Sequence, residues 1–305
     1  MQGSVNMISV AMATYNGEKY LQEQLNSIYA QSYKDVEIVI CDDCSSDETW
    51  SIIKKNAEEN VNLRCFRNES NLGFKKNFEK AISLCKGEFI ALSDQDDIWE
   101  KDHLEKLIGN IGDYDIACGD AVLIDGKGET KGKTLSSADF LDECLTNPLD
   151  VAYRIFFNSS CFQGASMLVR ADFLKKATPF PQDVVYHDTW LAALACFCGG
   201  IKYKKDIVTK HRVHGNNVSK RPYWRNVLGI VHLKRSRERK DRLPLANAIQ
   251  ERVGNLSFEQ TKFLESVRKY NVNRNSILGK LKNLVFRLKH YRSIYTTKSK
   301  IFVEW

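Results

Sequence analysis

Short apolar runs alternate with amphipathic stretches through the first hundred residues, and each apolar run stops abruptly in polar side chains. Ile8–Ala13 (ISVAMA) is the first run and ends in Thr14, Tyr15, Asn16 and Gly17. Leu21, Leu25, Ile28 and Tyr29 then recur at helical spacing, with Asn16 placed to cap that helix. Val36–Cys41 (VEIVIC) is the second run and gives way to Asp42, Asp43, Cys44, Ser45 and Ser46, with a new helix expected from about Asp47. Leu63–Phe66, a helical pattern over Phe74–Ser83, and Glu88–Leu92 continue the series. Strand–helix alternation at this spacing predicts an α/β fold: a Rossmann-like, mostly parallel central sheet flanked by helices on both faces. Ligands of such sheets bind outside the carboxyl ends of the strands. This chain gathers its polar residues there.

Several chemistries are excluded at once. No Gly-x-Gly-x-x-Gly dinucleotide turn and no Gly-x-x-x-x-Gly-Lys-Ser/Thr phosphate loop occurs. Nine cysteines are scattered without a repeating pair spacing, which favours a reducing, cytoplasmic location over a disulfide framework. No stretch reaches the roughly 18–20 apolar residues that span a bilayer.

The net charge of +7 hides a step. Residues 1–220 carry 25 Lys/Arg and 32 Asp/Glu, whereas residues 221–305 carry 20 and six. The step predicts a folded region over 1–220 and a basic helical appendage over 221–305. Residues 232–242 (HLKRSRERKDR) are densely cationic, and Leu278–Tyr295 interleaves apolar side chains with Lys and Arg. That interleaving fits a helix on an anionic membrane surface, with a homo-oligomer contact or packing on the folded region as the alternatives. A nucleic-acid binder is disfavoured because no recognition motif accompanies the charge and the first 220 residues are acidic.

Ser93–Asp97 (SDQDD) sets three carboxylates within four residues at a strand end. Such a corner is either an exposed acidic turn or an oxygen-rich seat for Mg²⁺ or Mn²⁺, which borrow phosphate oxygens from a substrate.

ISVAMATYNG, EQLNSIYAQSYKDVEIVICDDCSSDET and ALSDQDDIWEKDHLEKL, taken in that order, resemble the inverting glycosyltransferases of family 2, which have the GT-A fold. The resemblance is strong over about residues 6–110, weaker through 219, and fades beyond. It implies a nucleotide-sugar-binding half over 1–110 and an acceptor-binding half over 111–220. Thr14, Tyr15 and Asn16 match the loop over base and ribose, Asp43 the carboxylate that accepts from the base, and Asp42 its support. Asn71, Gly73 and Lys76 match the stretch bordering the nucleotide. Asp94 and Asp96 match the Asp-x-Asp metal block, with Asp96 the direct ligand. Gln163 and Gly164, in SSCFQGASMLVR, match the segment that places the acceptor.

His187-Asp188-Thr189-Trp190 resembles the His-Asp-x-Trp segment of rhamnosyltransferase-like members. There the matching aspartate, Asp188, is the general base, His187 its neighbour, and Trp190 lines the acceptor cleft. By local chemistry alone, Asp188 is equally an N-cap. Arg212, His214, Gly215 and Asn217 match an Arg-x-His-Gly-x-Asn cover over the diphosphate, with His214 facing the metal. The Gln-x-x-Arg-Trp signature of processive synthases is absent, which argues for addition of one sugar or a few.

The resemblance thus implies metal-dependent transfer with inversion, in bacterial surface polysaccharide synthesis. The donor would be dTDP-rhamnose or a UDP-hexose, and the acceptor a hydroxyl of a saccharide carried on a lipid. A sugar-phosphate nucleotidyltransferase also uses carboxylates and metal on such a sheet.

Overall fold

The computed structural model describes residues 6–136, 147–157, 162–215, 242–273, 276–290 and 294. They form two compact units, one from Met1–Leu135, Phe162–Phe180 and Ile201–His214, the other from Ser136–Cys161, Pro181–Gly200 and Gly215–Trp305. These units cut across the charge step at residue 220. Charge is a property of surfaces, while burial decides which segments share a core, and the two need not change at the same residue.

The first unit holds the sheet. Its elements begin β1 (Ile8–Thr14), α1 (Leu21–Tyr29), β2 (Val36–Asp42), α2 (Thr49–Glu59), β3 (Leu63–Arg67), α3 (Phe74–Leu84) and β4 (Phe89–Ser93). Then come β5 (Ile98–Trp99), α4 (His103–Ile111), β6 (Ile116–Ile124) and β7 (Thr130–Thr134). The strands run β3-β2-β1-β4 in parallel pairs, as the alternation predicts. Their interior is nearly continuous apolar burial, with Ile8, Val10, Met12, Ile40, Ala91 and Leu92 fully covered. Burying each large side chain contributes about 1.5–3 kcal/mol.

Beyond β4 the sheet becomes mixed. A 3₁₀ turn over Gly164–Ser166 leads into β8 (Met167–Arg170), which pairs antiparallel with β4 and β6 and is followed by a helix over Ala171–Ala177. β9 (Ile201–Arg212) runs parallel to β6 and carries β5 on its other side. Sequence alone divides this region into two short pieces at the edge of the sheet. Instead it is one twelve-residue strand lying inside the sheet. Its polar stretch, Lys204-Lys205-Asp206, falls where the pairing with β6 slips in register, so charged residues are accommodated there.

Register places the site. Thr14 pairs with Asp42 and Met12 with Ser93, so the carboxyl ends of β1, β2 and β4 lie together. From β1 the sheet grows toward β2 on one side and β4 on the other, and the crevice at such a reversal is where open α/β sheets take ligands.

The described residues of the second unit form helices: α5 (Pro148–Phe157), α6 (His187–Ala195), α7 (Arg242–Arg252), α8 (Phe258–Val272) and α9 (Ile277–Lys289), with the seven-residue Ala171–Ala177 helix belonging to the sheet unit. Phe263 lies at its centre, edge-on to Tyr153 at 4.7 Å and to Phe156 at 5.3 Å. Ser257 opens α8 with a capping box: its hydroxyl accepts from the Gln260 N–H while the Gln260 side chain accepts from the Ser257 N–H. Among the described residues, no helix is long and apolar enough to cross a membrane.

Candidate active site

The loop after β1 is held from three directions. Asn16 has φ +48° and does not cap α1, whose N-cap is Tyr20; its side-chain oxygen accepts from the Ser46 N–H at 2.9 Å instead. Thr14 is buried and donates to Asp42 at 3.2 Å. Tyr15 is exposed, and its backbone is clamped by Gln95: the Tyr15 N–H donates to Gln95 Oε1 and Gln95 Nε2 donates to the Tyr15 carbonyl, both at 2.9 Å. A Cβ on Gly17 would stand 2.3 Å from the Gln95 amide, so a side chain there would have to displace the clamp. Gln95 was outside the residues that motif reasoning selects. Nothing local marks it, because its partner is 80 residues away in sequence.

Asp42 and Asp43 are both buried. Asp42 accepts from Thr14 and from the Ser45 hydroxyl (2.5 Å) and N–H (3.1 Å), and pairs with Arg67 at 3.4 Å. Asp43 accepts from Asn68 Nδ2 and the Leu72 N–H at 2.8 Å and from the Gly73 N–H at 2.9 Å. Its carboxylate therefore faces the chain's own 68–73 loop. The N-cap of α2 is Glu48, not Asp43. Gly73 takes φ +81° as it leads into α3, a backbone that glycine tolerates, while Asn71 and Lys76 are exposed on that loop and helix.

The acidic turn after β4 divides its carboxylates. Asp97 is fully buried and accepts from His211 at 2.9 Å, from the Arg212 N–H at 3.0 Å and from Gln163 Nε2 at 3.0 Å. Burial pulls the His211 imidazole down, but Asp97, Asp96 and Asp94 outweigh it and hold it up to about 9. The repulsion expected among three neighbouring carboxylates is thus relieved from inside by a cationic imidazole. Asp96 turns outward and meets His214 Nε2 at 2.8 Å, with the two side chains 17% and 18% exposed. Asp94 is half-buried.

Three expected contacts change. Arg212 is buried, and its guanidinium donates to the Asp96 carbonyl (2.9 Å), the Asp125 carbonyl (3.3 Å) and Glu23 (2.5 Å), over the Tyr20 ring. It fixes the acidic turn rather than reaching a donor. Gln163 has its amide nitrogen on Asp97, beneath the same turn, and Gly164 is buried in the 3₁₀ turn, so neither presents a platform to an acceptor. Trp190 is fully buried in the helical unit with Arg252 5.6 Å from its ring, so packing, not cleft lining, explains it.

His187 is buried at the first position of α6. Asp188 follows in the first turn, half-buried, and accepts from the Thr189 N–H at 2.5 Å. The N-cap is Tyr186, so the capping alternative for Asp188 is not adopted. Asn217 and most of the 232–242 cationic run lie outside the described residues.

Asp96 and His214 can hold a divalent ion. They offer one oxygen and one nitrogen donor, already adjacent and open to solvent, and Mg²⁺ or Mn²⁺ completes such a partial shell with water and phosphate oxygens. Among the described residues no group of three or more His, Cys, Asp or Glu side chains could hold a metal ion.

This arrangement of sheet and loops is shared with known proteins. The family model for glycosyl transferase family 2 matches residues 9–177. The chain belongs to glycosyl transferase family 2, a family of transferase enzymes. An uncharacterised glycosyltransferase of Nostoc sp. is 29% identical over 217 residues, covering 69% of this chain and 66% of that protein. The Escherichia coli UDP-Glc:alpha-D-GlcNAc-diphosphoundecaprenol beta-1,3-glucosyltransferase WfaP is 35% identical over 95 residues, 31% of this chain and 37% of its own length. Among solved structures, Staphylococcus aureus TarS 1–349 in complex with UDP-GlcNAc superposes with TM-score 0.62 at 18% identity, over 98% of this chain and 83% of that one. The GT-A fold expected from sequence is therefore present. Asp188 lies beyond the matched residues.

Proposed function

We propose that this protein transfers a sugar from a nucleoside-diphosphate sugar to a hydroxyl of a saccharide acceptor, with inversion and with Mn²⁺ or Mg²⁺ as cofactor. The observation that carries the reading is the outward-facing Asp96–His214 pair, 2.8 Å apart, beside the crevice of the sheet. The named relatives weigh toward a UDP-hexose: one E. coli relative is a UDP-Glc-dependent glucosyltransferase and TarS is a β-N-acetylglucosaminyltransferase. dTDP-rhamnose stays the competing donor on the His187–Trp190 motif. The E. coli enzyme's name also supports a lipid-linked saccharide acceptor.

In this reading the exposed Tyr15 and the loop from Thr14 to Asn16 close on base and ribose. Asp43 sets the 71–73 loop that borders the nucleotide, with Asn71, Gly73 and Lys76 along that border. Bound by Asp96 and His214, the divalent ion would neutralise the charge that grows on the leaving diphosphate. Arg212 and Asp97 keep Asp96 in place. Asp188 takes the acceptor hydroxyl proton as that oxygen attacks the anomeric carbon opposite the diphosphate.

The test incubates the full chain with labelled UDP- and dTDP-sugars, with and without Mn²⁺ and a polyprenyl-diphosphate saccharide. Nucleoside diphosphate and an extended saccharide are the expected products. Pyrophosphate, formed from a nucleoside triphosphate and a sugar phosphate, would overturn the reading in favour of a nucleotidyltransferase. Asp188→Asn should lower transfer by about 10²–10⁴-fold while leaving donor binding intact. Transfer within about threefold of wild type would remove Asp188 as the base.

A further inference from the structure

The last described helix, α9, has two faces of opposite character. Its inner face is tightly engaged. Asn283 Nδ2 donates to the Tyr270 carbonyl at 3.0 Å, and Arg287 Nε donates to the Tyr270 hydroxyl at 2.7 Å. Phe286 lies 4.9 Å from Phe157, and His290, just past the helix, stacks on Tyr153 at 4.5 Å. Ser276 caps the N-terminus by accepting from the Gly279 N–H at 3.0 Å.

The outer face is apolar and uncovered. Leu278, Leu281, Val285 and Leu288 are 64%, 43%, 65% and 45% exposed. Their spacing of three, four and three residues aligns them in one stripe. Lys282 and Lys289 fall along one border of that stripe and Lys280 lies beyond its other side, at about 100° of turn per residue. All three lysines are exposed, and the helix contains no acidic residue.

An occupant must satisfy leucines and lysines together. A second copy laid on the stripe would bring like charges face to face, and a polyanion such as RNA would answer the lysines while leaving the leucines in water. An anionic bilayer satisfies both. Leucine side chains enter the headgroup–acyl boundary, and the lysine stems run along them to lipid phosphates. The excess of 20 Lys/Arg over six Asp/Glu across 221–305 adds long-range attraction to the same surface.

We propose that α9 docks this protein on anionic lipid through Leu278, Leu281, Val285 and Leu288, with Lys282 and Lys289 on the phosphates. The inference is independent of the catalytic reading, because none of these residues belongs to the sheet. Flotation of the full chain with phosphatidylcholine vesicles, with and without phosphatidylglycerol, tests it. Wild type should bind the mixed vesicles, weaken with salt, and ignore pure phosphatidylcholine. Leu281→Ser/Val285→Ser, which leaves charge unchanged, should lose about tenfold or more in partitioning. Lys282→Gln/Lys289→Gln should lose about twentyfold or more. Both pairs are exposed, so melting temperatures should match wild type. If one variant melts early, the other decides the outcome. Equal binding to both vesicle types, wild-type binding by the serine pair, or a dimer that the serine pair dissociates would each overturn the proposal.

Discussion

Two acidic stretches end neighbouring strands of this sheet, Asp42-Asp43 after β2 and Asp94–Asp97 after β4, and they are used in opposite ways. After β2 both carboxylates are buried and turned onto the chain's own N–H groups and hydroxyls. After β4 only Asp97 turns inward, while Asp96 reaches His214 at the surface. A carboxylate surrounded by donors of its own chain holds loops in place. One that meets an imidazole at a partly open position can exchange that partner for a cation. Sequence spacing does not separate these cases, since the distinguishing partners lie more than a hundred residues away for Asp96 and Asp97.

The largest effect expected from breaking this contrast is on stability. Asp97→Ala leaves His211 buried without its hydrogen-bonded counter-charge and the Arg212 N–H without an acceptor, and should destabilise by about 3–5 kcal/mol in urea denaturation. A loss below about 1 kcal/mol would show that the inward role is wrong.

The same pair gives a pH signature. His211 is held up to about 9 in the folded chain, above the unfolded imidazole near 6.5. Its contribution is complete below about pH 6.5 and is lost as pH rises toward 9. Wild type should therefore show a falling melting temperature across that window, beyond the decline seen for His211→Asn. Parallel profiles for the two proteins would argue against a charged His211.

A smaller effect belongs to the clamp between the two strand ends. Gln95→Ala frees the Tyr15 backbone and should raise the donor KM by about tenfold, the loss of roughly one net hydrogen bond's worth of positioning, with kcat less changed. An unaltered KM would mean that the Tyr15 loop keeps its shape without Gln95.

Legibility followed the same physical division. β1, β2 and β4 and the helices between them were readable because continuous apolar runs and helical spacing are local properties. β9 was not, because a Lys- and Asp-containing stretch becomes a central strand only through a slipped register with β6. Trp190 was misread as a cleft residue since an aromatic beside a proposed base looks alike whether it lines a cavity or fills a core. Asp188 was legible as a residue at a helix start, whereas the outward turn of Asp96 was not. Gln95, Arg212 and Gln163 depended on contacts that only the folded chain reveals.

The most direct test compares Asp96→Asn with Asp97→Asn in one experiment: Mn²⁺-dependent binding of a nucleoside diphosphate by calorimetry, and the denaturation midpoint, on the same preparations. Asp96→Asn should keep a near wild-type midpoint, within about 1 kcal/mol, and lose most of the Mn²⁺-dependent affinity. Asp97→Asn should lose stability first. An Asp96 variant that retains full Mn²⁺ dependence, or unfolds as readily as the Asp97 variant, would contradict the division of labour on which the proposed site rests.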